Sequence, residues 1–243
     1  MNSALLSSNS RVMADQYDIS PFLQKMNPIR NRDYADCSTL VSTSHEYTPV
    51  LRGGSFALEG LYRTNQIAGA SLQDIFATLP DTQIIVTGYP DTRAVGKPAL
   101  LMYADVLKYN LDNVVADLVK VMIDLSSQKW HVEHGVSLHD LTAETGTGNG
   151  TSVDNGAATT NGGVSVFHCT AIAGAVPSVV VKIQHSTNNS TWVDLLSHTA
   201  ATAATKGRVE VAAGTTINQY LREVHTFGGT TSSITFNSAF ARR

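Results

Sequence analysis

The sequence predicts a mainly β protein: an N-terminal β-sandwich or barrel with one covering α-helix, joined to a C-terminal antiparallel β-sandwich. Three observations carry the prediction. In NVVADLVKVMIDL (113–125) the residues from Asp117 onward alternate without a break, sending Val119, Val121, Ile123 and Leu125 to one face and Leu118, Lys120, Met122 and Asp124 to the other. That is the period of a pleated strand. Ser71–Leu79 is the one segment with a helical apolar stripe. Beyond Trp130 the chain breaks into short β-branched runs at even spacing, divided by turn residues, the pattern of a sandwich.

Taken in order, residues 1–16 read as a loose arm. Asp18–Met26 (DISPFLQKM) reads as a short strand that Pro21 restricts to a sheet edge. Residues 28–40 read as irregular and Ser42–Pro49 as an exposed loop. Gly53-Gly54 sets the turn before a strand in LRGGSFALEGLY (51–62). In the helix, Ser71 caps the first turn with Asp74 three residues on, Leu72, Ile75, Phe76 and Leu79 share one face, and Pro80 ends it. Strands follow over Thr82–Thr87 and Ala99–Leu107, on either side of the turn-rich Gly88–Pro98 loop, and lead into the 113–125 strand. The glycine-rich Thr142–Gly163 reads as a linker or the loose edge of a second domain, which gives expected divisions of 1–135, 136–163 and 164–243. Short strands fill the last: Val164–Ile172, Val179–His185, Thr191–Leu196, Arg208–Val211, Tyr220–His225 and Ser233–Phe240.

Composition narrows the classes of function. The net charge of −3 comes with no Lys/Arg cluster of the kind that marks a nucleic-acid surface. Charged residues make up only 15% of the 243, while Thr, Ser, Asn, Gly and Ala are abundant, as suits a β-rich chain covered by hydroxyls and amides or by copies of itself. The N-terminus MNSALLSSNSRVMADQ has neither the cationic start nor the apolar run of a signal peptide, so synthesis in a cytoplasm and a soluble product are expected. No segment approaches the ~18 apolar residues of a membrane helix.

Catalytic and ligand motifs are sparse. His131, Glu133, His134 and His139 in HVEHGVSLHD are the nearest approach to a metal cluster, but the spacing is not HExxH and Gly135 argues against a helix. They read as a polar interdomain linker. Gly146, Gly148 and Gly150 resemble half a phosphate loop without its lysine, preceding strand or following helix. Cys37 and Cys169, one per half, read as packed thiols. Trp192 is either a core anchor or a sugar-stacking platform. No catalytic residue, metal or cofactor is expected.

Thr48–Tyr62, TPVLRGGSFALEGLY, resembles a segment of the major tail (tail tube) proteins of long-tailed, siphophage-like bacteriophages. The helix at Ser71–Leu79, the Gly96–Leu101 loop and strand, and the 113–125 strand follow in the family's order. LHDL (138–141), GNGTSVDNGAATTNGG (148–163), VVKIQHSTNNSTWVDL (180–195) and the terminal ITFNSAFARR are similar to the β-sandwich appended to some members. The chain departs from the family at Ser42–Glu46, where a TTFGD run is usual.

The resemblance implies a non-enzymatic virion protein, made in the host cytoplasm, that forms hexameric rings stacked into a hollow tube for DNA delivery. Its partners would be itself, tape-measure protein and genomic DNA in the lumen, and tail-terminator and tail-tip proteins, with no membrane. The helix would cover the Val119/Val121/Ile123/Leu125 face, while Leu118, Lys120, Met122 and Asp124 would line the lumen or meet a neighbouring subunit. His45, Glu46, Tyr47, Tyr89 and Arg93, in two of the loops, are the expected inter-subunit or inter-ring contacts. The rival readings are a carbohydrate-binding or adhesive module, with Trp192 on the outer surface, and a capsid-decorating β-sandwich.

Overall fold

A computed structural model describes residues 9–41, 43–63, 71–77, 83–114, 117–127 and 131–243. Its strands are β1 Arg11–Ala14, β2 Tyr17–Asp18, β3 Leu23–Asp36, β4 Tyr47–Leu61, β5 Ile84–Tyr89, β6 Pro98–Asp112, β7 Lys120–Ser127, β8 Glu133–Glu144, β9 Gly148–Asn149, β10 Val153–Asp154, β11 Gly163–Ser186, β12 Val193–Ser197, β13 Thr205–Val211 and β14 Tyr220–Arg242. The helix α1 (Leu72–Phe76) is the only α-helix among the described residues. All strand pairs are antiparallel and form one 14-stranded sheet. Its main path runs β12-β11-β14-β8-β6-β5-β1-β2, and β7, β4 and β3 branch off β6 in that order. The protein is mainly β, as the periodicity predicts.

In the first half the sheet folds around one apolar core. Val12 and Ala14 of β1, Ile84 and Val86 of β5, Phe56 and Leu58 of β4, and Val121, Ile123 and Leu125 of β7 meet there. Leu72 and Phe76 of α1 close it. The capping box forms: Ser71 Oγ accepts from Asp74 N–H and the Asp74 carboxylate accepts from Ser71 N–H at 2.7 Å. The expected helix end at Leu79 and Pro80 lies outside the described residues. β7 starts at Lys120, three residues later than the alternation begins, because Asp117 N–H donates to Val114 O and Leu118 N–H to the Asp117 carboxylate in a turn.

The second half is built on one long ribbon, in which four of the six expected short strands merge in pairs, while the other two stand as β12 and β13. β11 and β14 pair along nearly their whole length, with register shifts between Cys169 and Ala171 and on both sides of Gly174. Gly174 has φ 144°, and a Cβ there would stand 2.2 Å from the Thr230 carbonyl oxygen, so only glycine fits the bend. Beyond it the ribbon turns back on itself: Phe167 and Cys169 pack against Val179 and Val181, with Phe236 and Ile234 beside them. The sandwich is therefore a single hairpin folded over.

Three expectations change. Residues 28–36 are not irregular but belong to β3, which pairs with β4 from Leu23↔Gly60 to Asp36↔Tyr47, and only 37–40 lie outside a strand. Most of this hairpin is exposed on both faces, so no alternation betrays it. Thr142–Gly163 is not a plain linker, since β9 and β10 dock on β14. HVEHGVSLHD is strand β8, bonded to β6 on one edge and β14 on the other. The expected division at residue 135 thus falls inside a paired strand, and one core cluster mixes Met13, Tyr89 and Leu101 with Val164, Val166 and Ala239.

Candidate functional site

Most of the exposed large apolar side chains among the described residues lie on the β3–β4 hairpin and its tip. β4 pairs with β7 only from Ser55 to Leu61, so the part beyond Gly54 leans on no third strand. The outer edge of β3 has no partner strand among the described residues. Exposed apolar side chains concentrate here: Tyr34 (62%), Tyr47 (59%) and Leu51 (74%), with Ile29 and Val50 half exposed and Leu40 and Val41 fully so. A free strand edge is a template for pairing with another chain, and a contiguous apolar patch marks an interaction site.

The tip is ordered by its own polar contacts. Asp36 accepts from Ser38 N–H at 2.9 Å, Cys37 N–H donates to Glu46 O at 2.8 Å, and Glu46 N–H donates to Ser38 Oγ at 2.9 Å. The Ser38 hydroxyl and N–H hold the Asp36 carboxyl below its ordinary range. His45 lies 3.1 Å from that carboxylate and stacks on Tyr47. These bonds join the tip's polar groups to one another and leave its apolar side chains exposed. His45, Glu46 and Tyr47 therefore sit on an exposed tip.

Tyr89 and Arg93 do not. Tyr89 is fully buried and its hydroxyl bonds to Asn237 of β14; a phenol without exposed surface has nothing to offer a neighbour, which corrects its reading as a contact. Its neighbours pull it in because β5 is buried along its whole length. Arg93 is mostly covered and pairs with Asp18 at 2.7 Å, tying its loop to the end of β2.

β7 presents the two faces expected of it. Val121, Ile123 and Leu125 are buried, while Lys120, Met122 and Asp124 stand on an open face. Cross-strand register adds Glu59 and Ala57 of β4, and Asn110 and Lys108 of β6, to that face. Lys25 of β3 joins it through an ion pair with Glu59 at 2.5 Å. The face is polar with the two signs interleaved. Leu118 is exposed in the preceding turn. Trp192 is partly exposed, with the Arg222 guanidinium 4.3 Å over its ring, so its face is covered by a cation.

The other chemistry is interior. Cys169 is buried and its thiol is pushed up to about 11 by desolvation. His168 and His198 are buried, and desolvation lowers each to about 4. His139, which the spacing along the chain places in a linker, is carried by β8 against Glu223 and His225 of β14. Desolvation opposes charge on His225, but Glu223 and Glu144 outweigh it and raise its pKa. Glu223 and His225 stand two apart on β14, but no spacing along the chain joins them to His139, so the sequence offered no signal for the whole group.

No family model and no curated protein matches the chain. Among solved structures it is similar to a chain of the virion of a native gene transfer agent particle, at 14% identity over 52% of this chain and 96% of that one, TM-score 0.41. It is also similar to SPP1 Dit, described as a paradigm of the hub adsorption apparatus in phages infecting Gram-positive hosts, at 11% identity over 94% and 98%, TM-score 0.42. A third is the SPP1 tail tube, at 11% identity over 51% and 76%, TM-score 0.42. Overlaps this loose leave function to the chain's own geometry.

Proposed function

We propose that this chain is a structural protein of a bacteriophage tail, and that it polymerises as hexameric rings stacked into the tube through which DNA leaves the virion. The observation that carries this is the β3–β4 hairpin: a paired ribbon with a free edge and a row of exposed apolar side chains. A two-stranded ribbon is marginal by itself, so a neighbour's surface is what would hold it. The tail-tube resemblance of Thr48–Tyr62 falls on the β4 strand of this same hairpin.

The open face around Met122 suits the lumen. DNA passing through must not be held, and each neutralised phosphate adds affinity through counterion release. A face that interleaves Lys25, Lys108 and Lys120 with Glu59 and Asp124 offers no basic stripe. In this reading β8–β14 decorates the outside, while tape-measure protein and DNA occupy the lumen and terminator and tip proteins close the ends. Trp192, stacked under Arg222, lends nothing to a glycan-binding alternative.

Electron microscopy of the concentrated protein tests the proposal. Six-fold rings or hollow tubes are expected, lost in the Leu40→Asp/Val41→Asp variant while its circular dichroism is unchanged. A variant that still assembles removes the hairpin from the interface; a single closed ring that never stacks removes the tube.

A further inference from the structure

The glycine-rich segment after β8 roofs a cluster of histidines and carboxylates that assembly does not use. His139 and His225 are 6% and 3% exposed and Glu223 is fully buried. One atom from each lies within 4.8 Å of the others. The proton positions follow from the partners. His139 Nδ1 is 2.6 Å from the Asp140 carbonyl and 3.2 Å from that of Phe236; carbonyls only accept, so Nδ1 carries the hydrogen. In the neutral ring Nε2 then turns its lone pair to the Glu144 carboxylate, 3.2 Å away. His225 repeats the arrangement. Its Nδ1 is 3.2 and 3.3 Å from the two oxygens of Glu223, and its buried Nε2 makes no hydrogen bond and stands 3.8 Å from Glu144 Oε2.

Two imidazole lone pairs thus converge on one carboxylate, and three acceptors facing one another call for a cation. The opposite nitrogen of each ring is already engaged by a carbonyl or a carboxylate, as metal-bound histidines are. We propose that His139 Nε2, His225 Nε2 and Glu144 bind a divalent transition-metal ion of the zinc class, with Glu223 orienting His225. Ligand atoms of a tetrahedral zinc with bonds of ~2.1 Å stand about 3.4 Å apart, a spacing that the 3.2 and 3.8 Å separations bracket. Two imidazoles with a carboxylate favour zinc or cobalt over the oxygen-seeking calcium and magnesium.

Access and fit agree. A cavity of about 290 Å³, lined also by Thr142, Asn149 and Thr151, opens beside His139, Glu144 and His225, with room for a water at a fourth position. A Cβ on Gly148 would stand 2.9 Å from His225 Nε2, and one on Gly150 3.2 Å from Glu223 Oε2. Glycine at both places lets the roof approach without displacing His225 or the Glu223 that orients it. The ion would staple the C-terminal half of β8 to β14.

The test is a titration of the chelator-stripped, full-length protein with Zn²⁺ by calorimetry and with Co²⁺ by visible absorbance. Expected are one ion per chain, a tetrahedral Co²⁺ band, and a melting temperature raised by Zn²⁺ but not by Mg²⁺. Glu223→Gln should keep the one-ion stoichiometry and weaken affinity about 10–100-fold, and Glu144→Gln or His225→Gln should abolish the band. Failure of the unmutated protein to take up Zn²⁺ stoichiometrically would overturn the proposal, as would uptake that Glu144→Gln and His225→Gln both leave unchanged. The first of these needs no variant, so misfolding of a mutant cannot rescue it. Neither outcome bears on assembly.

Discussion

His168 donates from Nδ1 to the Asp15 carbonyl at 2.5 Å and accepts at Nε2 from Thr87 Oγ1 at 2.7 Å, while His198 faces Ser165 Oγ at 2.9 Å. Both rings are held neutral by burial, with pKa values near 4 against about 6.5 in an unfolded chain. Between those values the unfolded state binds more protons, so stability falls as pH drops from about 6.5 towards 4, by on the order of 2–3 kcal/mol per histidine. Urea denaturation at pH 7 and pH 4.5 measures it, and His168→Gln should flatten the slope. Little at this scale was legible in the sequence. A histidine's partner across a sheet is fixed by register between distant strands, and neither the Thr87–His168 pair nor the His139–His225 pair leaves a trace in local spacing. Trp192 was left between core and surface for the same reason, since Arg222 reaches it from another strand.

Strands and helix were easier to read wherever one face is buried. The alternation of β7 placed Val121, Ile123 and Leu125 on the core side, and the i, i+3, i+4 stripe of α1 placed Leu72 and Phe76 there. Ile123 is fully buried, so Ile123→Ala should cost about 2–5 kcal/mol by denaturant titration. Ser71→Ala removes the cap and should cost about 0.5–2 kcal/mol in the same assay. The inner half of β4 was legible because Phe56 and Leu58 face the core, but the outer part of the hairpin was not, since both of its faces are open there and Tyr34 and Asp33 read as loop. Its exposure also makes a separate prediction: Leu40→Asp/Val41→Asp should change the unfolding free energy by no more than ~0.5 kcal/mol while abolishing assembly in sedimentation. β11 and β14 were read as several short strands because the exposed stretch around Gly174 interrupts their apolar pattern without interrupting their pairing.

Across the molecule, the two halves are tied by contacts that no linear division of the chain anticipates. Tyr89 reaches Asn237, Lys206 pairs with Asp15, and His168 bonds to the Asp15 carbonyl. The C-terminal sandwich is thereby fixed to the part that carries the hairpin, so in the proposed assembly a neighbour would meet a preset edge. The measurement that bears most directly on this account is negative-stain electron microscopy of the purified protein at rising concentration, beside the Leu40→Asp/Val41→Asp variant. Six-fold rings stacking into hollow tubes for the unmutated chain, and single particles for the variant, are what the account predicts. Tubes from both proteins, or compact trimers from the unmutated chain, would contradict it.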